Sequence, residues 1–182
     1  CYDGSSGIQR LGSIEVIDLS DNHLVGSLPK EIFDLPYLKT LILRDNVDLH
    51  VSLDNIESAQ ELRFLVISNT QVESLDNLEK APGLNELHIT NLQLKGSIPS
   101  QIFTLTALTG LFANFNAFTG SVPTQIGHLT NLHELYLYEN RLGGQIPTQI
   151  GLLTELRVVA MARNMFLGTL PVELNLLTNL EI

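Results

Sequence analysis

The side chains in this chain that could do chemistry are five histidines (His23, His50, His88, His128 and His133), one cysteine and 20 carboxylates. Histidine titrates near neutral pH and is the commonest metal ligand. Two or three of them beside a carboxylate would therefore point to a metal or to proton transfer. Only His128 and His133 stand close together in the sequence. No Gly-rich phosphate loop of the P-loop kind occurs. No two carboxylates share a distinctive spacing in an apolar setting, and Glu134 and Glu139 flank Tyr136 and Tyr138. A single cysteine, Cys1, supports no internal disulfide. Whether any of these groups meet depends on the elements that carry them.

Those elements are written into a repeat. "GSIPSQIFTLTAL" starts at Gly96, "GSVPTQIGHLTNL" at Gly120 and "GQIPTQIGLLTEL" at Gly144, so the interval is the same each time. Aligned on their opening residue, the units run 11–34, 35–58, 59–80, 81–104, 105–128, 129–152 and 153–176, with a partial unit at 177–182. All the complete units are equal in length except 59–80, which is shorter by two positions. In the unit 129–152 the apolar column is Leu129, Leu132, Leu135, Leu137, Leu142, Ile146 and Ile150. Leu135-Tyr136-Leu137 alternates with the period of a strand that has one buried face. No unit can bury its own leucines, but stacked neighbours bury them as one column, with strands parallel and about 4.8 Å apart.

Two other columns fix the turns. Asn22, Asn46, Asn116, Asn140 and Asn164 recur at one position as a structural asparagine ladder, whose amides can bond the backbone groups of a tight turn. Thr70 and Leu92 break that column. Threonine can supply part of the bonding; at Leu92 a bridging water or a distorted turn is expected. Gly26, Gly96, Gly120, Gly144 and Gly168, with Pro29, Pro99, Pro123, Pro147 and Pro171 three places on, mark a second corner. There glycine permits a backbone angle or close approach that a side chain forbids, and proline suits a short edge strand or turn.

"LTNLHELYLYENRLGGQIPTQIG" resembles the leucine-rich repeat in its plant-type form, LxxLxxLxLxxNxLxGxIPxxIGx, and the resemblance extends from about residue 11 onward. It implies the α/β class: a curved right-handed solenoid (horseshoe) with a parallel β-sheet on the concave face and short 3-10, irregular or briefly helical segments on the convex side. It also implies recognition of a protein or peptide ligand by the ectodomain of a receptor-like kinase or receptor-like protein in signalling, as in plants or algae. Alternatives are an intracellular scaffold on the same coil and a secreted inhibitor of a hydrolase. The implied location is the extracellular side of the plasma membrane or secreted, with the cytoplasm as the alternative. A membrane would be met only through a segment outside this chain, and any kinase domain would lie beyond residue 182. Residues 1–10 resemble the remnant of an N-terminal cap or linker, with Cys1 as its last cysteine. A stray cysteine is the other reading. Terminal coils lacking caps would leave leucines facing water, so fraying is expected at Leu177–Ile182.

Units 35–58 and 59–80 depart from the pattern. Leu49 arrives one place late behind Asp48, and His50 and Leu53 replace the corner glycine and proline. Glu73–Lys80 could form a turn of helix. The pair is either a degenerate stretch of coil or a kink that creates a recognition surface.

The strand residues facing away from the leucines line the concave surface. Adjacent strands bring together Phe112, Phe115, Tyr136 and Tyr138, flanked by His88, Asn114 and Glu139. Grouped outward aromatics either anchor a protein partner or cover the sheet by packing on one another. His128 falls on the return side and His133 on the strand, so the two do not share a metal. No catalytic residue, cofactor or metal is called for, and an enzyme reading of this segment is disfavoured. The net charge of −10 argues against nucleic acid, which needs a basic footprint. The acid is lopsided: residues 1–91 carry 15 acidic and 6 basic side chains, residues 92–182 carry 5 and 4. No Asn-x-Ser/Thr sequon is present, which mildly disfavours a heavily glycosylated ectodomain. No apolar run of membrane-spanning length occurs either.

Overall fold

The computed structural model describes residues 13–181. The apolar–polar–apolar triplets become seven short strands: Val16–Asp18, Thr40–Ile42, Phe64–Val66, Glu86–His88, Gly110–Phe112, Glu134–Tyr136 and Val158–Ala160. They pair side by side in sequence order, all parallel, in one seven-stranded sheet. The central residue of each strand points inward. Leu41, Leu65, Leu87, Leu111 and Leu135 are all buried, each sealed by the coils on either side. Full burial of one such leucine is worth about 1.5–3 kcal/mol. The first coil has a neighbour on one side only among the described residues, and its inner Leu19 stays 40% exposed where Leu43, Ile67 and Ile89 are fully buried. The cap-like segment 1–10, Cys1, Leu11 and Ile182 lie outside the described residues.

The convex side carries seven 3-10 helices among the described residues. Five begin directly after a corner proline, Pro29, Pro99, Pro123, Pro147 or Pro171, each in the extended conformation proline allows. The corner glycines all have positive φ, from 70° at Gly144 to 84° at Gly168. At Gly26, Gly96 and Gly120 an added Cβ would meet nothing, so the backbone angle, not close approach, is what requires glycine there. The helix expected over Glu73–Lys80 shrinks to Leu78–Lys80, because Asn77 takes a left-handed conformation that cannot continue it backward.

The two irregular coils do not disturb the main sheet. Thr40 pairs with Phe64 and Phe64 with Glu86 in unbroken register, so the short unit 59–80 loses its length on the return side. The irregularity surfaces on the flank, where very short strands form small parallel sheets. Gly96 pairs with Phe118 and Gly144 with Phe166, whereas Gly26 pairs with Leu49, one place later in its coil than those two partners. Leu49 therefore fills the buried leucine slot one place late, and Asp48 turns out to solvent.

Asparagine amides join consecutive coils. Asn46 is fully buried. Its Nδ2 donates to the carbonyls of Leu19 and Leu43 at 2.9 Å each, and its Oδ1 accepts from the Leu24 amide at 3.1 Å. Asn140 bonds Ala113, Leu137 and Phe118 in the same way. Thr70 donates only to the Ile67 carbonyl, at 2.6 Å. At Leu92 the turn is distorted: Asn91 is left-handed like the rest of its column, and Gln93 adds a second left-handed residue. Asn116 of the next coil donates to Ile89 and accepts from the Leu94 amide, as its column does elsewhere, and accepts in addition from the Leu92 amide.

These differences predict unequal costs. The Leu137 and Ala113 carbonyls each receive a second asparagine amide, from Asn164 and Asn116. Among the described residues the Leu43 carbonyl receives a side-chain bond from Asn46 alone, because Thr70 does not reach it. N46A strands that carbonyl and the Leu24 amide, a loss of roughly 2–6 kcal/mol, whereas N140A strands only the Phe118 amide, roughly 1–3 kcal/mol. Urea unfolding of the two variants should show the larger midpoint shift for N46A.

Candidate functional site

The outward face of the main sheet changes character along its length. Its first half is mixed, a shallow hollow in which Ile42, Phe64 and Val66 lie among Asp18, Thr40, Arg44 and His88. Ser20 donates to Asp18 Oδ1 from its hydroxyl at 2.6 Å and from its amide at 2.9 Å, and these bonds hold the Asp18 carboxyl below its usual value. Arg44 lies 3.4 Å from Asp21. Exposed pairs of this kind contribute little to stability.

The middle of the face is aromatic. Parallel register sets His88 beside Phe112 and Phe112 beside Tyr136. The rings stack, with centroids 3.9 Å apart for His88–Phe112 and 5.0 Å for Phe112–Tyr136, and planes within 13° in both pairs. Tyr138 meets Tyr136 edge-on at 6.3 Å, and Phe115 meets Tyr138 edge-on at 5.1 Å. His88 Nε2 lies 3.0 Å from Glu86 Oε2. The aromatics thus pack on one another while staying accessible: His88, Phe112, Tyr136 and Tyr138 are half-buried and Phe115 is 46% exposed.

The remaining residues of this group divide. Asn114 is buried, and its Oδ1 accepts from the Thr90 hydroxyl at 3.1 Å, so it supports the patch from below. Glu139 is held by Arg163 of the next coil. Phe115 and Glu139 belong to a column that is left-handed throughout: Asp21, Asp45, Asn69, Asn91, Phe115, Glu139 and Arg163 have φ between 52° and 60°. Asp and Asn tolerate that conformation, whereas Phe, Glu and Arg adopt it at a cost of about 1–2 kcal/mol. The four Asp/Asn residues opening the column are the sequence signal for this turn.

Gly110 is a site residue that the repeat pattern does not single out. A Cβ there would come within 2.8 Å of the Phe112 ring, so this glycine leaves the space over which Phe112 leans. A lone glycine inside a strand is the signal that marks such a close approach. His128 ends a 3-10 helix on the return side, and His133 precedes the strand Glu134–Tyr136, so the two histidines stay apart. Among the described residues no group of three or more His, Cys, Asp or Glu is placed to hold a metal. No helix among them is long and apolar enough to cross a membrane.

This architecture has known relatives. The family profile described as Leucine Rich Repeat matches residues 13–35 and 131–153. Among solved structures the chain is similar to the LRR ectodomain of the plant membrane receptor kinase GASSHO1/SCHENGEN3 from Arabidopsis thaliana, solved in complex with CASPARIAN STRIP INTEGRITY FACTOR 2. The identity is 37% and the TM-score 0.87, over 95% of this chain and 21% of that one. It is also similar to a TDR receptor, with 31% identity and a TM-score of 0.86 over 93% of this chain and 30% of that one. A third relative is the plant peptide hormone receptor RGFR1 in complex with RGF2, with 27% identity and a TM-score of 0.74 over 88% of this chain and 30% of that one. No match was found among curated protein sequences. The chain is a plant-type leucine-rich repeat domain, a parallel-sheet solenoid spanning less than a third of the length of each of these solved chains.

Burial first, and then the Glu134 carboxylate, push the Tyr136 phenol above its ordinary value. Because the folded-state value lies above the unfolded one, the neutral phenol's contribution is present below the ordinary tyrosine range. It is lost as pH rises through the folded-state value. In an alkaline absorbance titration, the phenolate transition removed by Y136F should lie above that range.

Proposed function

We propose that this domain recognises a protein or peptide as part of a receptor ectodomain, without catalysing a reaction on it. The ligand lies across the concave face, anchored by His88, Phe112, Phe115, Tyr136, Tyr138 and Glu139, with Asn114 supporting them from below. The observation that carries this reading is the run of accessible aromatic rings across three adjacent strands on the open side of the sheet. Clustered aromatics of this kind supply most of the binding energy in many protein interfaces. A rigid sheet also presents them with little ordering left to do on binding. The net charge of −10 disfavours nucleic acid as the partner. Two of the similar structures were solved with CASPARIAN STRIP INTEGRITY FACTOR 2 and with RGF2, the latter on a peptide hormone receptor, which supports a peptide or small-protein ligand here. Their kinship supports placement on the extracellular side, with any membrane attachment supplied by a segment outside this chain. The irregular coils 35–58 and 59–80 are proposed as structural variation, since the main sheet keeps its register through them.

The test uses random peptides displayed on phage and selected against the whole chain. Selected peptides should lose binding by at least about a hundredfold when Phe112, Tyr136 and Tyr138 are all changed to alanine, an anchor-sized loss of roughly 3 kcal/mol. Selected peptides that bind the triple variant with unchanged affinity would exclude the patch. Surface biotinylation of the tagged full-length protein in intact cells tests the location: a protein labelled only after lysis would refute the extracellular placement.

A further inference from the structure

The aromatic run ends abruptly. His88, Phe112 and Tyr136 occupy one column of the sheet, and the residue paired with Tyr136 on the next strand is Ala160. The neighbouring column makes the same change, from Tyr138 to Ala162. Stacked rings within 13° of parallel use their faces on one another and turn their edges to solvent. The inward faces of the stack are therefore taken. The face of Tyr136 that looks toward Ala160 has only a methyl group in the next position.

The spacing makes this a seat rather than a bare edge. The two centroid steps, 3.9 and 5.0 Å, bracket the strand separation of about 4.8 Å. One more step along the column falls directly over Ala160. Tyr138 is set edge-on to Tyr136, two positions along the same coil. Ala160 is half-buried and Ala162 exposed. A flat ring placed there would meet a ring face on one side and methyl groups beneath. A branched aliphatic chain would meet the same methyls but could not match the face.

We infer that Ala160 and Ala162 floor a notch that takes one aromatic side chain of the ligand, which stacks on Tyr136 as the next ring of the His88–Phe112–Tyr136 column. This deepens the proposed peptide-binding function and rests on it. It makes Ala160 a specificity-determining residue by virtue of its smallness. A larger residue there would complete the stack from within the chain and close the notch.

The experiment uses the whole chain with 13C-labelled alanine methyls, titrated with N-acetyl-tryptophanamide and, separately, N-acetyl-leucinamide. The methyl signals of Ala160 and Ala162 should move upfield and saturate with the indole amide but not with the leucine amide. In A160F the Ala162 shift should vanish. Equal shifts with both amides, or an Ala162 shift undiminished in A160F, would overturn the inference. The phage-selected peptides separate this claim from the broader one. Aromatic residues should dominate the peptides that depend on the patch, and A160F should weaken those peptides about tenfold. Patch-dependent peptides without an aromatic requirement would sink the notch and leave the proposed function standing. Peptides indifferent to the patch would sink the proposed function instead, whatever the amides do at Ala160.

Discussion

The inner coils of this protein finish their strands in tight, buried turns whose carbonyls need a side-chain donor. One side-chain amide solves the problem by spanning two coils. Asn46 donates to Leu19 behind it and to Leu43 in its own coil, and accepts from Leu24, so a single residue ties three backbone groups together. A group left buried and unpaired costs about 1–3 kcal/mol, comparable to the burial of a leucine. Leucine burial gives the stack its cohesion, while the amides fix how each coil turns. Where the amide is missing at Leu92, the chain takes a second left-handed residue at Gln93, and the Leu92 amide bonds Asn116 of the following coil. The fold tolerates that gap because the bond is shared between neighbours.

This arrangement leaves one surface unconstrained. Leucines take the inner face of the sheet and prolines set the starts of the 3-10 helices, so the outward strand residues are free to vary from coil to coil. They do vary, from Asp18 and Ile42 through Phe112 and Tyr136 to Ala160 in a single column. Parallel pairing then converts sequence positions a whole repeat apart into neighbours one strand spacing apart. A run of aromatics that is invisible as a local motif becomes a physical stack. The left-handed residue that follows two columns over turns its side chain back onto the same surface, which is how Phe115 reaches Tyr138.

The sequence was most legible where a residue type has one physical use. The strands, the asparagine turns and the positive φ of the corner glycines follow from Leu-x-Leu, Asn and Gly-x-apolar-Pro alone. It was less legible where the answer depends on a neighbour. Leu49 is a late leucine in the text, and only the pairing of Gly26 with Leu49 shows that it fills the ordinary slot. Glu73–Lys80 reads as a turn of helix, yet Asn77 confines it to Leu78–Lys80. Asn114 counts as a surface residue by its column, but the Thr90 hydroxyl and the flanking strands bury it. The ring geometry was beyond reach, because stacking angles depend on how Phe112 leans over Gly110.

Small residues therefore shape the patch as much as large ones do. Gly110 gives Phe112 room to lean, and Ala160 ends the stack beside Tyr136. An aromatic column that continued across the whole sheet would present only ring edges and would be closed to stacking by a partner. A column interrupted by glycine alone would lose the methyl floor that excludes water from beneath a bound ring. Alanine at the step after Tyr136 meets both requirements, because it leaves one ring face open and keeps the surface under it apolar. The same reasoning makes the patch directional. At its His88 end the next step of the column holds the branched side chain of Val66, whereas at the Tyr136 end it holds only the methyl of Ala160, so the Tyr136 end is where the stack can be extended by another molecule.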